Sequence, residues 1–212
     1  MELMPQISQS LQKGDYDSVL ELTRRAIENN IPAKEILDNG LIAGMNVVGE
    51  QFARHEMFLP EVLLAAKAMY AGMDQLKPLL IKEQVRSIGK IVIGTAHGDL
   101  HDIGKNLVGI MLKGAGFDVI DLGKDVAAEK FVETAEREQA RAIGVSALLT
   151  TTMPVMKKVT DLLKARNLDS KIKTIVGGAP VTKRYAEEIG ADSYAYDAAN
   201  AVQCMKALLS GS

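Results

Sequence analysis

The apolar residues of this chain change period near residue 85, and that change limits the fold more than any other feature. Before it, Leu37, Leu41, Met45, Val48 and Phe52 recur at three or four residues, as do Val62, Ala66, Met69, Met73 and Leu76. Such spacing lines one face of an α-helix. Asp15 suits the opening of a helix, and Pro32 and Pro60 sit where a first helical turn tolerates a missing N–H. The pattern predicts helices over 2–13, 16–29, 33–54 and 60–81. Short polar links favour antiparallel packing in a four-helix bundle.

After residue 85 the pattern becomes strand, loop, helix, repeated. Lys90–Ala96, Asp118–Leu122, Ala142–Ser146, Lys173–Gly177 and Asp192–Tyr196 are short and mostly apolar, as buried strands are. Helical segments are expected over 103–115, 127–139, 153–166, 182–189 and 198–209. Five βα units in a row imply an α/β fold with a parallel sheet covered on both faces, of flavodoxin-like (Rossmann-type) architecture. The expected organisation is therefore a helical domain over 1–84, a linker over 85–89, and an α/β domain over 90–212. Ligands of such sheets bind beyond the carboxyl ends of the strands, where strand order reverses. The loops that begin near Thr95, Gly123, Ser146, Gly177 and Tyr196 are the places to look.

Composition closes off several functions. A formal net charge of −2 gives no electrostatic case for nucleic acid. No window carries the roughly 18 apolar residues of a membrane span, and the first thirty residues lack a signal-peptide core. One cysteine, Cys204, excludes an internal disulfide and a cysteine-built metal site, so a reducing cytoplasm is the expected location. On the last helix, Cys204 reads as a packing residue.

Three of the strand-end loops are chemically unusual. The first contains Gly98, Asp99, Leu100, His101, Asp102, Ile103 and Gly104, and within it the pattern Asp99-x-His101-x-x-Gly104. A loop histidine can present one ring nitrogen to a metal while a carboxylate two residues earlier accepts the other ring N–H and fixes the tautomer. Gly104 allows the next helix to start close to whatever fills the cavity. Taken alone, the motif is equally a helix-start loop with a backbone-bonded histidine. The second loop follows Ser146-Ala147-Leu148 and the third follows Gly177-Gly178. Singly these read as a helix cap and a tight turn. Together they make a groove with small, hydroxyl-bearing and side-chain-free walls, suited to a bulky planar ligand with a long tail. His97 lies outside the Asp-x-His-x-x-Gly register and reads as a loop residue.

With these residues in hand, the chain resembles cobalamin-binding domains that hold their cofactor base-off. Asp-x-His-x-x-Gly, Ser-x-Leu and Gly-Gly at these spacings carry the resemblance. Gly98 to Asn106 and Asp121-Leu-Gly123 look like the methionine synthase branch. Met45-Asn-Val-Val-Gly-Glu-Gln-Phe52 and Met57-Phe-Leu-Pro-Glu-Val62 are similar to the helical cap domain that precedes the corrinoid domain in methyltransferases. The architecture resembles the free-standing corrinoid proteins of three-component methyltransferase systems. The resemblance implies a cobalamin or related cobamide, His101 as the lower cobalt ligand, and Asp99 and the Thr152 hydroxyl as its relay. It implies that methyl transfer releases His101, with proton uptake by the His101–Asp99 pair in compensation. It further implies a nucleotide tail passing Ser146, Leu148, Thr150, Gly177 and Gly178 with a contact near Ala198, and a cover over the methyl group from Phe58. A donor-specific methyltransferase, an acceptor methyltransferase for a thiol or tetrahydrofolate, and a reductive activase would be the partners. A cobalamin-binding sensor module is the alternative reading, and a mutase small subunit conflicts with the N-terminal helices.

Overall fold

The computed structural model describes residues 2–83, 85 and 87–210. Residues 1, 84, 86, 211 and 212 lie outside it, and with them the outer ends of the expected domains and part of the expected linker over 85–89. The chain separates into two compact units, Met1–Arg86 with Gly114–Gly116, and Ser87–Lys113 with Phe117–Ser212.

The first unit is helical. Helix α1 spans Leu3–Gln12, α2 Tyr16–Glu28, α3 Ala33–Glu35, α4 Ala43–Ala53 and α5 Leu59–Lys82. Asp15 caps α2, its Oδ1 accepting the Ser18 N–H at 3.1 Å. Pro60 lies in the first turn of α5, and the Glu61 carboxylate accepts the Phe58 N–H at 2.8 Å. The one departure from the expected helices is inside 33–54, where Ile36–Ile42 is a π-helix joining α3 to α4. A π turn takes in an extra residue, so the buried stripe there runs through Ile36, Gly40, Leu41 and Met45 rather than Leu37. Helix α1 crosses closely at this point. A Cβ at Gly40 would stand 3.1 Å from Ile7 Cγ2, and one at Gly44 would stand 2.9 Å from the Ser8 carbonyl oxygen. The core of the unit is aliphatic: Ile7, Leu11, Val19, Leu41 and Leu76 are inaccessible to solvent. Among the described residues, no helix is long and apolar enough to cross a membrane.

The second unit is a five-stranded parallel sheet in the order β2-β1-β3-β4-β5. Strands β1 (Lys90–Thr95), β2 (Asp118–Asp121), β3 (Ala142–Ser146), β4 (Lys173–Gly177) and β5 (Ser193–Ala195) alternate with α6 (Ile103–Gly114), α7 (Ala128–Arg137), α8 (Pro154–Ala165), α9 (Lys183–Glu188) and α10 (Ala198–Ser210). Val92, Ile143, Val145 and Val176 from the sheet pack with Phe131 and Val132 of α7 and Met156 and Val159 of α8. On the other face α6 lies so close that a Cβ at Gly109 would come within 2.8 Å of Ile93 Cδ1. The amine of Lys105, 4 % exposed, bonds to Asp121 and Asn106, tying the first turn of α6 to the end of β2.

Two features of the sheet position the site. Strand order reverses between β1 and β3, because β2 lies on one side of β1 and β3 on the other. Thr95, Ser146 and Gly177 are also register partners across β1, β3 and β4. Three loops therefore leave the sheet at one level, two of them at the switch point.

Candidate functional site

The loop after β1 is built around Asp99, whose side chain is entirely inaccessible to solvent. Its Oδ1 accepts the His101 backbone N–H at 3.0 Å and meets His101 Nδ1 at 2.7 Å. Its Oδ2 accepts the N–H groups of Leu148 at 2.6 Å and Leu149 at 3.2 Å, both from the loop after β3, and faces Thr152 Oγ1 at 3.2 Å. Burial pushes the carboxyl towards its neutral form. The backbone N–H groups of His101 and Leu148, with the His101 ring and the Leu149 N–H, outweigh burial and hold Asp99 well below the usual carboxylate range.

An ionised carboxylate can only accept, so the contact at Nδ1 places the imidazole proton there. The other ring nitrogen, Nε2, takes no part in that contact and carries the lone pair in the neutral tautomer, on a side chain 55 % exposed. Thr95, buried at the end of β1, donates its hydroxyl to the His101 carbonyl at 3.0 Å. The histidine is thus held at the ring, the N–H and the carbonyl.

Asp99, His101, Leu148 and Thr152 lie in one hydrogen-bonded cluster. Thr152 has a single hydroxyl proton and sits 2.8 Å from the Leu149 carbonyl, nearer than Asp99. Gly98 has φ +83, a conformation that favours glycine. Asp102 accepts the Asn106 N–H on its backbone carbonyl at 2.8 Å, within the start of α6. Ser146 is half-buried at the end of β3, and Thr150 is exposed in the following loop. Ala198 is buried at the start of α10, and Phe58, in the helical unit, is exposed at the N-cap of α5. Leu149 and Thr95 escape a reading of the sequence. Leu149 acts through its backbone N–H, which any residue type supplies. Thr95 gives only the faint signal of a hydroxyl ending an apolar strand.

Residues 89–203 match the B12 binding domain family, and residues 4–77 match a second B12 binding domain family. The chain belongs to the B12-binding family. A corrinoid protein of Desulfitobacterium hafniense is 43 % identical over 212 residues, covering 99 % of this chain and 98 % of its own. Dimethylamine corrinoid protein 2 of Methanosarcina mazei is 46 % identical over 209 residues, covering 98 % and 97 %. Among solved structures, the methanol:cobalamin methyltransferase complex of Methanosarcina barkeri contains a chain 32 % identical with a TM-score of 0.87, covering 99 % of this chain and 80 % of that one. A cobalamin-binding protein of Desulfitobacterium hafniense superposes with a TM-score of 0.81 at 32 % identity, covering 98 % of both chains.

The second unit of this B12-binding protein fits a cobalamin on its own geometry. A metal that arrives inside a macrocycle would need a nitrogen from the protein, and the neutral His101 tautomer fixed by Asp99 would offer Nε2. Leu100 and Ile103 after β1, Leu148 and Leu149 after β3, and Tyr196 after β5 are exposed apolar side chains at the strand ends, where a corrin face can cover them. A Cβ at Gly104 would meet nothing within 4 Å, so that space is open. At Gly177 and Gly178 the reverse holds. Their Cβ atoms would strike the Ala195 carbonyl oxygen at 2.8 Å and that of Ala147 at 1.9 Å, and Gly178 has φ +128. Bare backbone is the only wall these positions accept.

Proposed function

We propose that this protein is a corrinoid-binding methyl carrier, passing a methyl group between a donor-specific methyltransferase and a methyltransferase acting on a thiol or tetrahydrofolate. The observation that carries the reading is the buried Asp99 carboxylate against His101 Nδ1, a contact that leaves the other ring nitrogen out. Likeness to a chain of a methanol:cobalamin methyltransferase complex supports it, and weighs for a carrier over a cobalamin sensor. When bound, the cobalamin supplies a cobalt centre able to take up and release a methyl cation.

The chain's own residues do the rest. His101 is the lower ligand, and Asp99 orients its ring and stabilises positive charge that develops there. The backbone N–H groups of Leu148 and Leu149 hold Asp99 in place. Gly98, Leu100, Asp102, Ile103 and Gly104 shape the loop under the ring. Ser146, Thr150, Gly177 and Gly178 line the path of the nucleotide tail, with Ala198 beside it and Thr152 completing the relay to Asp99. A reductive activase restores the carrier after oxidation, and the work is done in the cytoplasm.

The test is to load the protein with cob(II)alamin and record its electron paramagnetic resonance. With histidine labelled by nitrogen-15, the doublet of an imidazole ligand is expected, distinct from the triplet of the cofactor's own base, and its absence in His101→Ala. Reduced protein is then offered a methylated amine with its methyltransferase, and methyl uptake is followed by absorbance. Wild-type protein without the imidazole doublet sinks the ligand assignment. The doublet without methyl uptake from any amine, methanol or methoxyarene system sinks the carrier assignment.

A further inference from the structure

The loop that carries His101 holds a second histidine, His97, paired with a carboxylate of the loop after β2 and unused by the relay. His97 Nδ1 lies 2.7 Å from Asp125 Oδ1, and the same oxygen accepts the Gly98 N–H at 2.8 Å. The Asp125 N–H in turn donates to the Asp99 backbone carbonyl at 3.1 Å. Around this contact the two loops are stitched further. Thr95 N–H donates to the Gly123 carbonyl and Val126 N–H to the Thr95 carbonyl, both at 2.9 Å, and Ala96 and Val126 form a parallel bridge. One exposed carboxylate thus grips the residues immediately before Asp99 with its side chain and Asp99 itself with its backbone.

Asp125 has φ +58, in the left-handed region that side chains other than glycine, asparagine and aspartate avoid. A glycine would stand there without strain, so what the position gains from aspartate is the carboxylate. That carboxylate is held below its ordinary range, chiefly by the Gly98 N–H and then by the charge of His97.

We propose that Asp125, assisted by His97, is a positioning residue for the corrinoid ligand, fixing the segment 97–99 so that the Asp99 carboxylate meets His101 Nδ1. Asp125 makes no hydrogen bond to His101 or to the Asp99 carboxylate, and acts through the Gly98 N–H and the Asp99 backbone carbonyl. The inference rests on the reading of His101 as a cobalt ligand.

Three substitutions separate this role from a general effect on folding. Asp125→Gly removes the carboxylate and keeps the left-handed backbone. Asp125→Asn keeps both the backbone and an acceptor oxygen. His97→Ala removes one donor and leaves the Gly98 tether. Folding of each is checked by circular dichroism. In cofactor-free protein, nitrogen-15 spectra of the imidazoles report the His101 Nδ1 proton. In protein given cob(II)alamin, the fraction with the imidazole doublet and the dissociation constant are read.

Removing a partner that directly bonds a ligating histidine weakens metal binding about 10- to 100-fold, and Asp125 stands one bond further out. Asp125→Gly is therefore expected to weaken cobalamin binding roughly 3- to 10-fold. It should also lower the His-ligated fraction and broaden the His101 Nδ1–H signal in cofactor-free protein. Asp125→Asn should restore all three, and His97→Ala should fall between Asp125→Gly and wild type. A folded Asp125→Gly protein with wild-type splitting, and affinity within about twofold, overturns the inference while His101→Ala still tests the ligand independently. Wild-type protein lacking the imidazole doublet overturns the ligand assignment and this inference together.

Discussion

Two histidines four residues apart on one loop each present the same ring nitrogen to an aspartate oxygen at the same distance, 2.7 Å in both. They differ in what surrounds the acid. Asp99 is inaccessible to solvent and collects backbone donors from two loops, whereas the Asp125 side chain is 50 % exposed. Distance alone therefore says little about role. A carboxylate sealed from water must be ionised by its donors or not at all, and it commits its histidine to one tautomer. An exposed one works through geometry, in a field that salt screens.

The sharpest way to break this contrast is Asp99→Ala. It orphans the N–H groups of His101, Leu148 and Leu149, and should lower the unfolding free energy of the α/β unit by about 4 kcal/mol, measured by urea titration. The same carboxylate should shape the acid limb of stability. Its folded value lies below the unfolded one, so its contribution is complete above about pH 4 and is lost as pH falls below that. Wild-type protein should lose stability on acidification more steeply than Asp99→Ala, and equal slopes would contradict the sealed-acid account.

Gly178→Ala comes next, because its Cβ would strike the carbonyl of the peptide unit whose N–H, that of Leu148, reaches Asp99. Destabilisation of about 2–4 kcal/mol is expected, with a shifted His101 ring signal and an undisturbed His97 signal. If both histidines moved alike, the Gly178 clash would not be confined to the sealed pair. The smallest effect belongs to His97→Ala. Its thermal midpoint should stay close to wild type, and any difference should vanish in ~1 M salt.

The sequence carried most of the scaffold and part of the site. Ala142–Ser146 and Lys173–Gly177 were readable to the residue as buried, β-branched runs, and the spacing of Asp99, His101 and Gly104 singled out the loop after β1. The π turn at Ile36–Ile42 was not, since the helical spacing of Leu37, Leu41 and Met45 conceals the extra residue; only the approach of α1 at Gly40 exposes it. His97 read as a loop residue, and it is one. Its partner lies 28 positions away and is reached through the Ala96–Val126 bridge, a contact that no local pattern announces. The N–H donors to Asp99 were equally invisible, because backbone groups leave no trace in residue identity.

The seal over Asp99 has a consequence for how a cofactor is received. The ring is aimed and its tautomer chosen when the chain folds, so the ordering cost of presenting a ligand is met before any encounter. Capture then depends on a rigid, pre-organised nitrogen rather than on a side chain that must be caught and steered.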